Sequence, residues 1–272
     1  MHPILVDLGT VDLPGFGPTH LFLPTYGVIF AAGALIAWSW FLRRARTLAL
    51  PQEPVFNLAF YTLLAGLLGA KLTLVVVDAP YYLDHPGEIF GILRSAGVLM
   101  GGVLAGALAF VFYARKHNLP VLALADAIVA PVALAQGIGR IGCFAAGCCY
   151  GIESHAWCAV RFTSEAAHEQ TGVPLNTPIL PVQLFELAFD LALALLLTAL
   201  WRRRLRPAGT VCWVYLVVYG AGRGLLELWR GDAVRGFWLG GAVSTSQLFS
   251  AASIAAGLFL LIRDRVRVPR PA

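Results

Sequence analysis

Charged residues are rare inside long apolar stretches, and this chain places several of them there or at the edges. Arg140 lies in AQGIGRIGCFAAGCCYG, residues 135–151, among five glycines and three cysteines. Arg223, Glu227 and Arg230 follow in YGAGRGLLELWRGD, residues 219–232. Lys71, Asp126, Glu186 and Asp190 interrupt other apolar runs. Charge in such surroundings is costly unless it is paired or used. Arg223 and Glu227 are four apart and so are neighbours on one helical face. Two chemistries fit: ion pairs that hold helices together, or a site for an anion. Among Lys71, Arg140, Arg223, Arg230, Glu186 and Glu227 the cations outnumber the acids, which suits a phosphate better than a metal cation. A guanidinium offers a fork of donors to phosphate oxygens and stays charged when buried.

The segment Gly137-Ile138-Gly139-Arg140-Ile141-Gly142 also reads as G-x-G-x-x-G. A dinucleotide-binding loop needs a strand before it, a helix after it and an acidic residue about 20 positions on. Here an apolar helical run precedes the glycines, Glu153 is too close, and Glu165 lacks a βαβ context. The nucleotide reading is therefore set aside. Close helix packing accounts for Gly137 and Gly139, since small residues let membrane helices approach. It does not account for Arg140.

The elements that must position these residues are membrane spans. The chain has 272 residues, 58% hydrophobic and 13% charged, with a mean hydropathy of +0.74. Soluble domains carry about 25% charged residues, so this composition excludes an ordinary soluble globule and implies an integral membrane protein. A span needs about 20 mostly apolar residues. Seven are expected, near 21–42, 54–77, 97–114, 121–142, 181–201, 209–229 and 240–262. Basic clusters at 43–46, 115–117, 201–206 and 263–270 follow every second span, while Asp78, Asp84, Glu88, Glu153, Glu165, Glu169 and Asp232 sit in the alternate loops. This is the positive-inside pattern, with the N-terminus outside and the C-terminus cytoplasmic. The net charge of +5 is then carried by inner loops and does not call for nucleic acid. On this topology Lys71, Arg140, Arg223, Glu227, Arg230 and Glu186 fall toward the outer leaflet. The first twenty residues hold no Lys or Arg, which argues against a cleaved signal peptide. The expected fold is an all-α polytopic protein, a single transmembrane domain over 1–272 with a long outer loop at about 143–180 lying over the site.

The ordered motifs resemble those of the bacterial prolipoprotein diacylglyceryl transferases. MHPILVDLG at the start, TYG (25–27), GAKL (69–72), GIGRIGCF (137–144), GCCYG (147–151), PVQLFE (181–186), YGAGRGLLELWRGD (219–232) and STSQ (244–247) follow the family's pattern along almost the whole chain. The resemblance implies a seven-span enzyme of the bacterial cytoplasmic (inner) membrane. Such an enzyme moves the diacylglyceryl group of phosphatidylglycerol to the lipobox cysteine thiol of a preprolipoprotein, forms a thioether and releases glycerol phosphate. It implies Arg140 and Arg223 as the catalytic pair on the lipid phosphate, joined by Arg230 and Lys71. Tyr26, Gly101, Gly102, Gly139, Gly142, Gly151, Gln183, Glu186 and Glu227 take supporting positions. Neither a metal nor a cofactor is expected. The partners are phosphatidylglycerol, the signal peptides of preprolipoproteins and the membrane itself.

Four positions depart from the pattern. Met100 stands where the family's third span carries a histidine, Leu180 where a histidine often precedes the PVQLFE segment, Cys143 for an asparagine and Cys148 for an acidic residue. If the third-span histidine takes the thiol proton, this chain lacks that base, and His155, His168 and Glu153 in the outer loop are the substitutes to consider. The departures motivate an alternative: a catalytically inactive paralogue that binds lipid or lipoprotein. A transporter is a third class, but no inverted repeat is visible. Cys143, Cys148, Cys149 and Cys158 cluster toward the outer side, where a bridge from Cys148 or Cys149 to Cys158 is chemically permitted. The plain alternative is small apolar filler. Adjacent cysteines without a Cys-x-x-Cys pair do not suggest zinc.

Overall fold

The computed structural model describes residues 2–13, 17–85, 97–205, 207–232, 236–241 and 243–267. Glu88, Arg206 and the basic residues beyond 267 lie outside the described residues. In chain order the elements begin with strands β1 (Ile4–Leu13) and β2 (Gly17–Pro24), then helices α1 (Thr25–Arg46), α2 (Gln52–Val77), α3 (Ala79–Asp84), α4 (Leu99–Lys116) and α5 (Val121–Ala146). They continue with β3 (Val160–Arg161), α6 (Glu165–Thr171), β4 (Pro178–Ile179), α7 (Val182–Arg202), α8 (Thr210–Leu226), β5 (Phe237–Trp238), β6 (Val243–Ser244) and α9 (Thr245–Arg267). Seven helices among the described residues are long and apolar enough to cross a membrane: α1, α2, α4, α5, α7, α8 with the turn that follows it, and α9. The all-α polytopic architecture expected from composition is the one found.

Two span starts differ from expectation, each for a local reason. The first helix begins at Thr25, because residues 17–24 form a strand paired antiparallel with β1. The residue before a proline is pushed away from helical backbone, so Leu23 stays extended and Pro24 marks the boundary. The last helix begins at Thr245, because Gly240 (φ 69°) and Gly241 (φ 97°) are left-handed, a conformation that ends regular helix. Its start is a reciprocal cap. The Ser244 hydroxyl accepts from the Gln247 N–H at 3.2 Å, and the Gln247 side-chain oxygen accepts from the Ser244 N–H at 2.9 Å. Two N–H groups without helical partners are thereby satisfied.

The chain divides into two compact units, Met1–Trp40 with Ala125–Ala272, and Phe41–Leu124. In the larger unit, Val129, Ala130 and Ala133 of α5 pack against Leu193, Ala194 and Leu197 of α7 and Val211 of α8. Pro131 sits inside α5, which membrane helices tolerate when neighbours satisfy the freed backbone. The segment after α5 is a small folded layer. Phe162, Ala167, Val173 and Ile179 form its core, with Phe144, Tyr150 and Val160 against them. β3 pairs with β4, and Ser164 caps α6 by accepting from the Ala167 N–H. All five cysteines are free thiols, so this layer is held by its own core and hydrogen bonds.

The smaller unit is built on a close seam between α2 and α4. A Cβ on Gly69 would lie 2.8 Å from the Gly101 carbonyl oxygen, one on Gly102 would lie 2.8 Å from the Gly66 oxygen, and one on Gly101 would strike Thr73. Gly101 and Gly102 therefore serve close backbone approach, the bland reading for small residues in membrane helices.

Candidate active site

The larger unit gathers charged side chains from three helices and the turn after α8. The Arg140 Nε lies 2.8 Å from Glu186 Oε2, and the Arg223 Nη1 lies 3.0 Å from Glu186 Oε1. Arg223 also reaches Glu227 Oε2 at 2.8 Å through Nη2. Arg230 stands 4.0 Å from Glu227 and grips Asp232 with two bonds, at 2.9 and 2.5 Å. The result is a ladder of alternating charge: Arg140, Glu186, Arg223, Glu227, Arg230, Asp232. Cations and carboxylates balance within it, three of each; Lys71 stands on α2 in the other unit.

Local structure explains how the ladder is assembled. Arg140 lies late in α5, Glu186 in the second turn of α7 and Arg223 in the last turn of α8. The helix then tightens into a 3-10 turn, Glu227–Trp229, and opens at Arg230 (ψ 137°). That opening turns Arg230 toward Asp232 instead of onward along the helix axis. Arg140, Glu186, Phe189, Asp190, Tyr219, Arg223 and Leu226 line one recess, which the side chains fill so closely that a water molecule has no room.

The pairing in this recess is close but poorly directed. Both Glu186 carboxylate oxygens and Arg223 Nη1 are buried within ion-pair distance, yet none makes a well-aligned hydrogen bond. Distance and direction disagree here, and we read the contacts as charge pairing that lacks the geometry of a bidentate bond. The Glu186 and Glu227 side chains are 3% and 1% exposed, whereas Arg140 and Arg223 keep 16% and 13%. The two arginine side chains are thus somewhat more accessible than the carboxylates between them. Beyond the spans, burial opposes the Arg230 charge, but the Asp232 carboxylate overcomes this and holds its pKa above the usual arginine value.

The loop after α5 borders the ladder. Gly151 accepts no side chain, since a Cβ would lie 2.5 Å from the Leu180 carbonyl oxygen. Its N–H donates to that same oxygen at 3.0 Å, Ile152 N–H donates to Trp229 O and Gly231 N–H donates to Tyr150 O. The loop is thus stitched to the start of α7 and to the turn that carries Arg230. Gln183, fully buried, donates its amide to the Cys148 carbonyl at 2.8 Å. Tyr26 stacks with Phe30, packs on the bare face at Gly142 and lies within electrostatic reach of Arg140, Cys143, Cys148 and Cys149.

The structure therefore brings Arg140, Arg223, Arg230, Glu186 and Glu227 into one network, with Tyr26, Gly142, Gly151 and Gln183 around it. Lys71, Gly101 and Gly102 belong to the smaller unit. Gly137 packs against Asp190 and Leu187, but a Cβ on Gly139 would meet nothing within 4 Å. Close packing thus explains Gly137 and fails for Gly139. Of the outer-loop groups considered as bases, His168 is engaged through Nδ1 with the Val173 carbonyl at 2.8 Å, and Glu153 and His155 are exposed. Sequence reasoning missed Asp232 as the clamp on Arg230, although its spacing of two residues was visible. It grouped four cysteines toward the outer side without singling out the three that converge. The thiols of Cys143, Cys148 and Cys149 all lie within 4.8 Å of one another. The Cys149 thiol is held below the usual thiol range by S–H donation from Cys143 and Cys148, then by the Arg230 and Arg140 charges. Cys148, the donor to Cys143 and Cys149, is pushed up.

Comparison with known proteins agrees with these motifs. The model of the prolipoprotein diacylglyceryl transferase family matches residues 18–263. The chain is 35% identical over 268 residues to a phosphatidylglycerol–prolipoprotein diacylglyceryl transferase of Clostridium tetani, covering 98% of this chain and 99% of that one. It is 33% identical to a second such transferase of Clostridium perfringens, covering 87% and 89%. To the transferase of Geobacter sulfurreducens it is 32% identical, covering 93% and 95%.

Proposed function

The chain belongs to the prolipoprotein diacylglyceryl transferase family, and from that premise we propose that it transfers the diacylglyceryl group of phosphatidylglycerol to the cysteine thiol of a prolipoprotein. The thiol proton passes to solvent, the sulfur attacks the glyceryl C3, the C3–O bond breaks, and glycerol phosphate leaves with the electron pair. The difficulty of the step lies in the negative charge that gathers on the departing phosphate. Arg140 and Arg223 take that charge, an electrostatic stabilisation that is strongest where water is excluded. The observation that carries this reading is the shared, poorly directed hold of both arginines on Glu186. Their forks are pre-positioned by a carboxylate yet keep donors for another oxyanion.

Glu186 and Glu227 hold the two guanidiniums in place before lipid arrives, and the Arg230–Asp232 pair anchors the turn behind them. The site faces the outer leaflet of the bacterial inner membrane, with the N-terminus outside, the C-terminus cytoplasmic, and the layer at 143–180 over the site. Prolipoproteins present their cysteine beside a signal peptide, so the acceptor arrives within the membrane, and no nucleic acid takes part.

The test uses purified full-length protein in liposomes of phosphatidylglycerol with a lipobox peptide bearing one cysteine. Mass spectrometry is expected to find the diacylglyceryl mass on the thiol and glycerol phosphate in the medium. A second reading, lipid binding without turnover, is motivated by Met100 and Leu180 at positions where the family carries histidine. Bound phosphatidylglycerol with an unmodified peptide would favour it over the transferase.

A further inference from the structure

We propose that Cys143, Cys148 and Cys149 form a three-thiolate site for Zn2+, whose fourth position takes the cysteine thiol of the protein substrate. This rests on the transferase reading above and extends it to the activation of the nucleophile. The spacing in sequence argued against a metal, and the fold changes that argument. Cys143 lies in the last turn of α5, and its carbonyl accepts from both the Gly147 and Cys148 N–H groups, at 2.9 and 3.1 Å. The chain then reverses through Gly147 (φ 83°) and Cys149 (φ 59°). A left-handed cysteine is uncommon, and here it turns the third thiol back toward the other two. Buried Gln183 fixes the Cys148 backbone from α7.

The three Sγ atoms already lie within 4.8 Å of one another. With Zn–S bonds of about 2.3 Å, thiolates on a tetrahedral zinc stand about 3.8 Å apart, so small side-chain rotations close the site. Soft thiolates select zinc over magnesium or calcium. Among the described residues the cluster offers three ligands and no fourth, the pattern of a zinc site that keeps one position for substrate. Three thiolates around Zn2+ carry one net negative charge, and Arg140 and Arg230 lie within electrostatic reach of Cys149 to offset it.

The chemistry then balances. The substrate S–H gives its proton to water as the sulfur binds zinc, since a coordinating thiol is deprotonated outright. The zinc-bound sulfur donates a lone pair to the glyceryl C3, and the C–O bond breaks toward the phosphate held by Arg140 and Arg223. The product thioether is uncharged and binds zinc more weakly than a thiolate, so it leaves. No histidine base is required, which answers the question raised by Met100.

The experiment counts metal in full-length protein purified under reducing conditions without chelator or a polyhistidine tag. About one zinc per chain is expected, as for a structural or catalytic thiolate site. Cys148→Ser and Cys149→Ser should lose it while Cys158→Ser keeps it. The wild-type count needs no variant to fold. In Co2+-substituted protein, a cysteine lipobox peptide should raise the sulfur-to-cobalt charge-transfer band by about a third, as three thiolates become four, and its serine analogue should not. Metal-free protein with three titratable thiols would overturn the proposal. So would a disulfide among them, a closed site filled by copper, or a band that the peptide leaves unmoved. Zinc and peptide binding without diacylglyceryl transfer would instead sink the transferase reading and leave the site standing. Full turnover by zinc-stripped protein would do the reverse.

Discussion

Two buried carboxylates in the same unit, Asp126 and Glu186, are treated very differently by the fold. Asp126 lies near the start of α5, and Glu186 pairs with Arg140 some 14 residues further along that helix, about 21 Å at 1.5 Å per residue. Asp126 accepts from the Gly209 N–H at 2.7 Å and the Cys212 N–H at 2.8 Å. Both donors are backbone groups at the N-terminus of α8, fixed in place and favourable to negative charge. Glu186 has two guanidiniums at 2.8 and 3.0 Å and no aligned hydrogen bond to either. The first carboxylate is spent on holding helices together. The second sits between two side-chain cations without an aligned bond to either. Burial and charge alone do not separate structure from function; the nature and aim of the partners do.

The comparison can be broken most severely at the arginines. Arg140→Ala and Arg223→Ala are each expected to lower turnover about 10²–10³-fold or more, the cost of removing a donor to a developing oxyanion. Folded protein should persist, because Glu186 keeps one guanidinium in either variant. Diacylglyceryl transfer to a lipobox peptide reads the first effect and thermal unfolding in detergent the second. Near-normal turnover in either variant would end the assignment of that arginine.

Glu186→Gln should leave two buried cations facing a neutral amide. Breaking a buried pair costs about 3–5 kcal/mol, so its Tm should fall well below that of the parent. Added glycerol phosphate should recover more of the Tm in this variant than in the parent. An equal shift in both would mean that the arginines do not exchange their carboxylate for phosphate.

Asp126→Ala should cost less, about 2 kcal/mol for two helix-start donors left unsatisfied, with kcat unchanged once unfolded material is removed. A loss of kcat would erase the distinction between the two carboxylates. Gly139→Ala should have the smallest effect, within about 1 kcal/mol in stability and in the stabilising direction, as Ala exceeds Gly in helix propensity. Turnover within threefold of the parent is expected, and a larger drop would mean that substrate uses the open space beside this residue.

Much of the fold was legible because membrane helices announce themselves by composition. The ladder was legible for a related reason: charges within apolar runs are conspicuous, so Arg140, Glu186, Arg223 and Glu227 could be singled out without any contact information. The N-terminal hairpin was not legible, because its strands pair with bulges and show no clean alternation. The layer after α5 was visible only as a long loop. Its core of Phe162, Ala167, Val173 and Ile179 is assembled from residues with no common periodicity. Gly137 and Gly139 look alike in sequence, yet one packs on α7 and the other faces open space.

The sequence by itself determined the number of spans, since about 20 apolar residues are needed to cross a bilayer and no other placement of them is available. It also determined which charges had to be accounted for, since burial in lipid is too costly to be accidental. Tertiary structure alone decided who pairs with whom. Helix rotation puts Arg140 and Arg223 on one carboxylate, the opening at Arg230 sends it to Asp232, and a left-handed turn at Cys149 gathers three thiols. These depend on backbone directions set by distant packing, which the order of residues along the chain does not reveal.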